Sequence, residues 1–192
     1  DGTVQTYNSY INRVYGLADD EGRRWIVKCY RPGRWSKAAI YEEHAFVREL
    51  FDAEIPVVAP LPNRRGESLS ISAQSDIPLA LYPLKGGRSF EANTDEDWYR
   101  IGSLIGRLHA VSIRHTARER ISLKPEETSR VQVKEILSSN LMDRELALEF
   151  ESLCTEGLDI ISARYPTEGA IRLQGDLHRG NILERPGEGL LL

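Results

Sequence analysis

The sequence predicts an α+β protein: a small antiparallel β lobe carrying one helix, followed by part of a helical lobe. Three observations predict it. β-type runs separated by turn residues fill roughly the first eighty positions. Beyond Leu84-Lys85-Gly86-Gly87-Arg88 the apolar spacing turns helical. Strands and helices are thus segregated along the chain, which favours α+β over alternating βαβ units.

The elements follow in order. Tyr10 to Leu17 and Arg23 to Tyr30 read as strands, joined by Asp19-Asp20-Glu21-Gly22, good hairpin chemistry. Alternation puts Ile26, Lys28 and Tyr30 on one face and Trp25, Val27 and Cys29 on the other. A helix is expected from Lys37 to Ala53, with Ser36 as its N-cap. At about 100° per residue its apolar face holds Ala39, Ile40, Phe46, Val47, Leu50 and Phe51. Glu43 falls near the middle of that face and Glu42 on the opposite side. A carboxylate on a buried face needs a cationic partner. Lys28, the one charge in Trp25–Tyr30, is the candidate.

Short strands are then expected at Val57 to Leu61, Ser68 to Ser72 and Pro78 to Tyr82, with a hairpin loop at Asn63–Glu67. Leu84–Arg88 reads as a hinge. Thr94 and Asp97 resemble a capping pair for a helix whose core stripe is Trp98, Ile101, Ile105 and Leu108. Gly102 and Gly106 on that helix would admit a closely packed neighbour. Further helices are expected over Val131 to Leu141 and Asp143 to Tyr165. Short runs at Ala170 to Leu173, Asn181 to Glu184 and Gly189 to Leu192 close the chain.

Composition sets the outer bounds. The 192 residues suffice for one good core or two small lobes. With 25 basic and 29 acidic residues, the formal charge of −4 argues against a general nucleic-acid or polyanionic-membrane binder. No stretch reads as a membrane span or a signal peptide. Two distant cysteines, Cys29 and Cys154, suit a reducing cytoplasm. There is no opening Met, and both ends read as positions inside a larger protein.

The chemistry gathers near the end. In Gly175-Asp176-Leu177-His178-Arg179-Gly180-Asn181 an Asp precedes an Asn by five residues, the pattern of a phosphotransfer loop. Asp176 would accept the proton of an attacking hydroxyl. Asn181 would hold magnesium. Lys28 would reach the α- and β-phosphates of ATP, with Glu43 holding Lys28. The Tyr7–Arg13 turn has no glycine; its amides and the Ser9 hydroxyl would touch phosphate, or it is an ordinary polar hairpin turn. His178 and His109 read as hydrogen-bonded structural residues. The patterns of serine hydrolases, zincins, Walker NTPases and Rossmann proteins are absent from the sequence.

Several blocks, taken together and in order, carry a resemblance: Asn8–Tyr15, Val27–Trp35, Glu42-Glu43-His44, Pro56–Pro60, Gly86–Glu91 and Gly175–Leu183. They are similar to a bacterial stress-response kinase subfamily of the aminoglycoside phosphotransferase-like group, within the protein-kinase-like fold. The Asn-Ser-Tyr and Tyr-Arg-Pro-x-Arg-Trp blocks are specific to that subfamily. The Gly-Asp-x-His-x-x-Asn block is common to the group and does not select a substrate.

The resemblance implies a two-lobed ATP-dependent serine/threonine protein kinase, cytoplasmic and linked to stress survival. Its partners would be ATP with Mg2+ and a protein Ser/Thr hydroxyl, with no nucleic acid and no membrane. Ser9 and Lys28 would belong to the ATP site, and adenine would lie against the Tyr82–Leu84 backbone. Residues 1–84 would form the nucleotide-binding lobe and 85–192 part of the second lobe. Two departures stand out. Gln174 occupies a position usually held by His. The metal-binding Asp expected after Leu190-Leu191-Leu192 is missing, so the 192-residue chain is expected to be nearly inactive alone. A small-molecule kinase of the same group (acting on an aminoglycoside, homoserine or a choline-like alcohol) and a non-catalytic kinase-fold module are the alternatives.

Overall fold

Strand β1 (Gln5–Tyr7), β2 (Arg13–Ala18), β3 (Arg24–Cys29), β4 (Ser70–Ile71) and β5 (Pro78–Pro83) form one antiparallel sheet in the order β1-β2-β3-β5-β4. The computed structural model describes residues 4–7, 9, 11–139, 141–166 and 168–192. The strand start expected at Tyr10 lies outside the described residues. The chain divides into two compact units: Asp1–Arg120 with Ile171–Leu192, and Ile121–Ala170.

In the first unit the β2–β3 hairpin is closed by its acidic turn. Asp19 accepts from the backbone N–H of Glu21 and Arg23 and from the side chains of Arg23 and Trp25. β3 is central, pairing with β2 through Val14–Lys28 and with β5 through Lys28–Ala80. Helix α1 (Lys37–Asp52) starts at Ser36, whose hydroxyl accepts from the Ala39 N–H at 3.0 Å. Its buried residues are Ala39, Ile40, His44, Phe46 and Leu50. Phe51, expected on that face, is 51% exposed. Helix α2 (Asp95–Ser112) opens with the expected Thr94–Asp97 capping box.

The inward stripe of α2 is displaced from the expected one. Ile101, Leu104, Leu108 and Val111 are buried, whereas Trp98 is 64% exposed. Trp98 lies in the first turn, ahead of the part of the helix that meets the core. Gly102 and Gly106 face open space, and among the described residues no atom would meet a Cβ within 4 Å there. The run Val57–Leu61 forms no strand. Pro56, Pro60 and Pro62 remove the N–H groups a ladder needs, and one bond from the Leu61 N–H to the Leu81 carbonyl remains. Ala170–Leu173 forms none either; its Arg172 side chain turns into the protein instead.

A second antiparallel sheet runs in the order β6 (Arg88–Ser89), β7 (Leu183–Arg185), β8 (Gly189–Leu191). Gly87 allows this pairing, because a Cβ there would lie 2.9 Å from the Leu183 Cβ. Glu184 binds Arg88 at 2.7 Å and Arg100 of α2 at 2.9 Å. One apolar cluster joins Phe46 and Leu50 of α1, Phe90, the α2 stripe, Ile182 and Leu190. A second joins Tyr30, Ile40, Leu69 and Ala80.

The second unit contains a π-helical turn (Pro125–Ser129), α3 (Arg130–Ser138) and α4 (Arg144–Ser162). Arg130 binds both Glu126 and Asp159, tying the three together. No described residue of this unit is buried. No helix of the described residues is long and apolar enough to cross a membrane.

Candidate active site

Two groups of the expected residues come together. The first joins β3 to α1. Lys28 Nζ lies 3.1 Å from Glu43 Oε1, and both side chains are about a quarter exposed, 27% each. Strand alternation aims Lys28 at α1, and helix phase aims Glu43 back at the sheet. The ammonium also lies 4.5 Å from the Tyr30 ring centre, a cation–π distance.

Behind this pair lies a buried polar network that periodicity did not reveal. His44, 3% exposed, has Nε2 at 2.8 Å from the Tyr30 hydroxyl and Nδ1 at 2.8 Å from the Ser68 hydroxyl. The Tyr82 hydroxyl joins at 3.3 Å from that of Tyr30. Burial pushes the His44 imidazole down to about 4, with the Lys28 charge adding to it and Glu43 opposing. The folded value is below the ordinary 6.5, so the unfolded chain takes up this proton first. The stability from neutral His44 is therefore complete above pH 6.5 and is lost as pH falls toward 4. Thermal unfolding followed from pH 7 to pH 4 should show this loss, and the His44→Phe variant should lack it.

The second group is the Gly175–Asn181 loop. Asn181 Nδ2 donates to the Asp176 carbonyl at 2.8 Å and to Asp176 Oδ2 at 3.0 Å. Gln174 Oε1 accepts from the Asp176 N–H at 2.7 Å, which shows how glutamine supports this loop. His178 Nδ1 accepts from the Gly180 N–H at 3.1 Å and caps the following short 3-10 turn. Any Cβ at position 180 would lie 2.8 Å from the His178 ring. The Asp176 side chain is 78% exposed, open to an incoming group. The loop is docked through Ser89, whose hydroxyl donates to the Arg179 carbonyl, and through the Phe90 N–H, which donates to the Ile182 carbonyl. Among the described residues no cluster of three or more His, Cys, Asp or Glu is arranged for a metal ion.

Of the remaining expected residues, Tyr82 reaches the first group through its hydroxyl, whereas Ser9 and Leu84 lie elsewhere. Ser9 is exposed, and its hydroxyl accepts from the Asn12 N–H at 3.4 Å. Tyr82 is paired with Ile26 across β3 and β5. The Leu84 N–H donates to the Arg24 carbonyl at 3.1 Å, so that donor is already engaged.

Three side chains belong to this region that no local pattern marked. Arg120 Nη1 reaches Glu43 Oε2 at 3.0 Å. Glu42 accepts the backbone N–H groups of Arg118, Glu119 and Arg120, so it is engaged rather than turned to solvent. Arg172 lies on Phe46 and pairs with Glu49. Helix phase placed Glu42 on the side of α1 opposite Glu43 and gave it no partner, and nothing in the sequence singled out Glu49.

A family model described as phosphotransferase enzyme family matches residues 3–191. The chain is 37% identical over 190 residues to a protein named stress response kinase A from Salmonella choleraesuis (strain SC-B67). It is equally similar, at 37% over 190 residues, to a serine/threonine protein kinase named RdoA from Salmonella typhimurium (strain LT2). Each alignment covers 97% of this chain and 56% of the relative, so the chain spans about half the length of these relatives. Among solved structures, amicoumacin kinase in complex with AMP-PNP, Ca2+ and Ami superposes with a TM-score of 0.72 at 21% identity. That match covers 97% of this chain and 56% of the other, and shows a shared fold.

Proposed function

The chain belongs to the phosphotransferase enzyme family, and from that premise we propose that it carries the nucleotide site and catalytic loop of an ATP-dependent serine/threonine protein kinase. The observation that carries this reading is the Lys28–Glu43 pair, an ammonium held by a carboxylate between the central strand and α1. Such a lysine neutralises phosphate charge, and its partner keeps it from collapsing elsewhere. In this reading Lys28 contacts the α- and β-phosphates. Ser9 contacts phosphate from the β1–β2 turn. Adenine lies along Tyr82–Leu84, using carbonyl groups and apolar contact, since the Leu84 N–H is engaged. Residues 1–84 form the nucleotide-binding lobe and 85–192 the start of the acceptor lobe.

Asp176 orients and deprotonates the acceptor hydroxyl, for which an exposed carboxylate is suited. Asn181 commits its Nδ2 to Asp176. Among the described residues no donor takes its Oδ1, and an amide oxygen is a fitting ligand for a hard cation. Mg2+ bound there would supply charge neutralisation for the phosphates. The protein acceptor is supported by the name of one relative at 37% identity. A cytoplasmic location belongs to the same reading, because ATP is the co-substrate.

The full-length protein with labelled ATP, offered a mixture of proteins and a panel of small alcohols, tests this. Incorporation into protein is expected. Label appearing in a small alcohol alone would replace the acceptor class, and no transfer to either would remove the kinase reading. Lys28→Met is expected to weaken nucleotide binding by about 10–100-fold, the loss of one charge-assisted contact. Titration with a fluorescent ATP analogue measures it.

A further inference from the structure

We propose that Arg120 is a positioning residue for the phosphate-binding lysine, holding the Glu43 carboxylate so that one oxygen stays on Lys28; this rests on the kinase reading above. Glu43 is divided between two cations: Oε1 lies 3.1 Å from Lys28 Nζ and Oε2 lies 3.0 Å from Arg120 Nη1. A partly exposed glutamate held by one lysine samples several rotamers. Fixing its second oxygen leaves the first with one direction to face.

Arg120 is itself held at two further points. Its backbone N–H donates to Glu42 Oε2 at 2.9 Å. Its guanidinium lies 3.9 Å from the Trp35 ring centre, with Arg34 at 5.6 Å from the same ring. Trp35 in turn packs on the Tyr30–Ile40–Leu69–Ala80 cluster. A line of contacts therefore runs from the core through Trp35, Arg120 and Glu43 to Lys28.

The same segment grips α1 along its length. Glu42 takes the N–H groups of Arg118 at 2.6 Å and Glu119 at 2.9 Å, a concave set of donors suited to a carboxylate. His115 reaches Glu49 at 3.0 Å. Residues 115–120 thus form a strap across α1, and Arg120 is the part that bears on the lysine. Glu42 and Glu43, adjacent in sequence, are both bound by this strap, one through backbone donors and one through a side chain. An arginine suits the position because its planar group stacks on Trp35 while donating sideways, which a lysine does not do.

The test uses the full-length protein and steady-state kinetics with ATP varied. Arg120→Met, which keeps the stem over Trp35, is expected to raise KM for ATP about 10-fold and change kcat less. Arg120→Lys is expected to recover part of that loss, and provides the reading if the Met variant does not fold. Glu43→Gln is expected to raise KM as well, and adding Arg120→Met to it should change KM less than about twofold, because the two act through one contact. A further 10-fold rise in the double variant would show that Arg120 acts independently of Glu43, overturning the proposal. So would an unchanged KM in the single Arg120 variants while Glu43→Gln has its effect. An unchanged KM in Glu43→Gln removes the role of the Lys28–Glu43 pair, and the Arg120 proposal falls with it.

Discussion

Replacing Asp176 by Ala in the full-length protein is expected to reduce phosphate transfer from ATP by about 10²–10⁴-fold, the usual contribution of a general base. The loop should survive the change. The Asp176 side chain is 78% exposed and supports no core contact. The bond from its backbone N–H to Gln174 and the bond from Asn181 to its carbonyl do not involve the carboxylate. Nucleotide affinity should therefore stay within about threefold of the parent, since no contact of Lys28 or Glu43 is altered. Asp176→Asn sharpens the result: it keeps shape and an acceptor oxygen toward Asn181 but no longer takes a proton. Equal loss in both variants identifies proton transfer as the missing function. Activity within tenfold of the parent in either would show that Asp176 is not the base.

The largest expected loss of stability is at Arg172. Its side chain is 7% exposed and binds Glu49 at 3.1 and 2.6 Å. It also lies 4.3 Å from the Phe46 ring centre and donates to the carbonyls of Val111 and Ser112. Arg172→Leu takes the guanidinium from Glu49, which keeps the exposed His115, and removes a donor from the Ser112 carbonyl, while the Val111 carbonyl keeps the Arg114 N–H. Removing one partner of a buried pair costs about 3–5 kcal/mol. Glu49 is 31% exposed and rehydrates in part, so about 3 kcal/mol is expected. For a chain of this size that lowers Tm by about 6–12 °C.

Acid provides a second reading of the same pair. The Arg172 guanidinium holds the Glu49 carboxyl at about 2, below its ordinary 4.5. The folded state thus binds this proton less readily than the unfolded chain. The pair's stabilisation is complete above pH 4.5 and is lost as pH falls toward 2. In Arg172→Leu that part of the acid sensitivity should vanish. A variant with the parent's Tm and acid profile would show that the pair contributes nothing.

Arg172 precedes the Gly175–Asn181 loop, and Glu49 lies on the helix that carries Glu43. Loss of this pair therefore loosens both groups of the candidate site, and reduced transfer with a lowered Tm is the expected combination.

Local chemistry made much of this legible. Ser36 and the Thr94–Asp97 pair marked two helix starts because a cap is set by neighbours three residues away. Lys28 and Glu43 were matched by periods of two and 3.6 residues, since one odd charge on each apolar face leaves few partners. The same arithmetic misplaced Trp98 and Phe51. Periodicity gives a helix an apolar side but not the point where its contact with the core begins or ends. It also read Val57–Leu61 as a strand on apolar content, where Pro60 within the run and Pro56 and Pro62 on its flanks remove ladder donors.

By itself, then, the sequence determined the segregated α+β order, the caps and the Asp176–Asn181 loop, all governed by residues within a turn or a strand of one another. Only the tertiary structure decided that Glu43 faces Arg120 across 77 positions and Glu49 faces Arg172 across 123. The sequence contained both arginines, but no local period selects one among 25 cationic residues to meet a given carboxylate. That choice is made where the folded core brings distant segments within hydrogen-bonding reach.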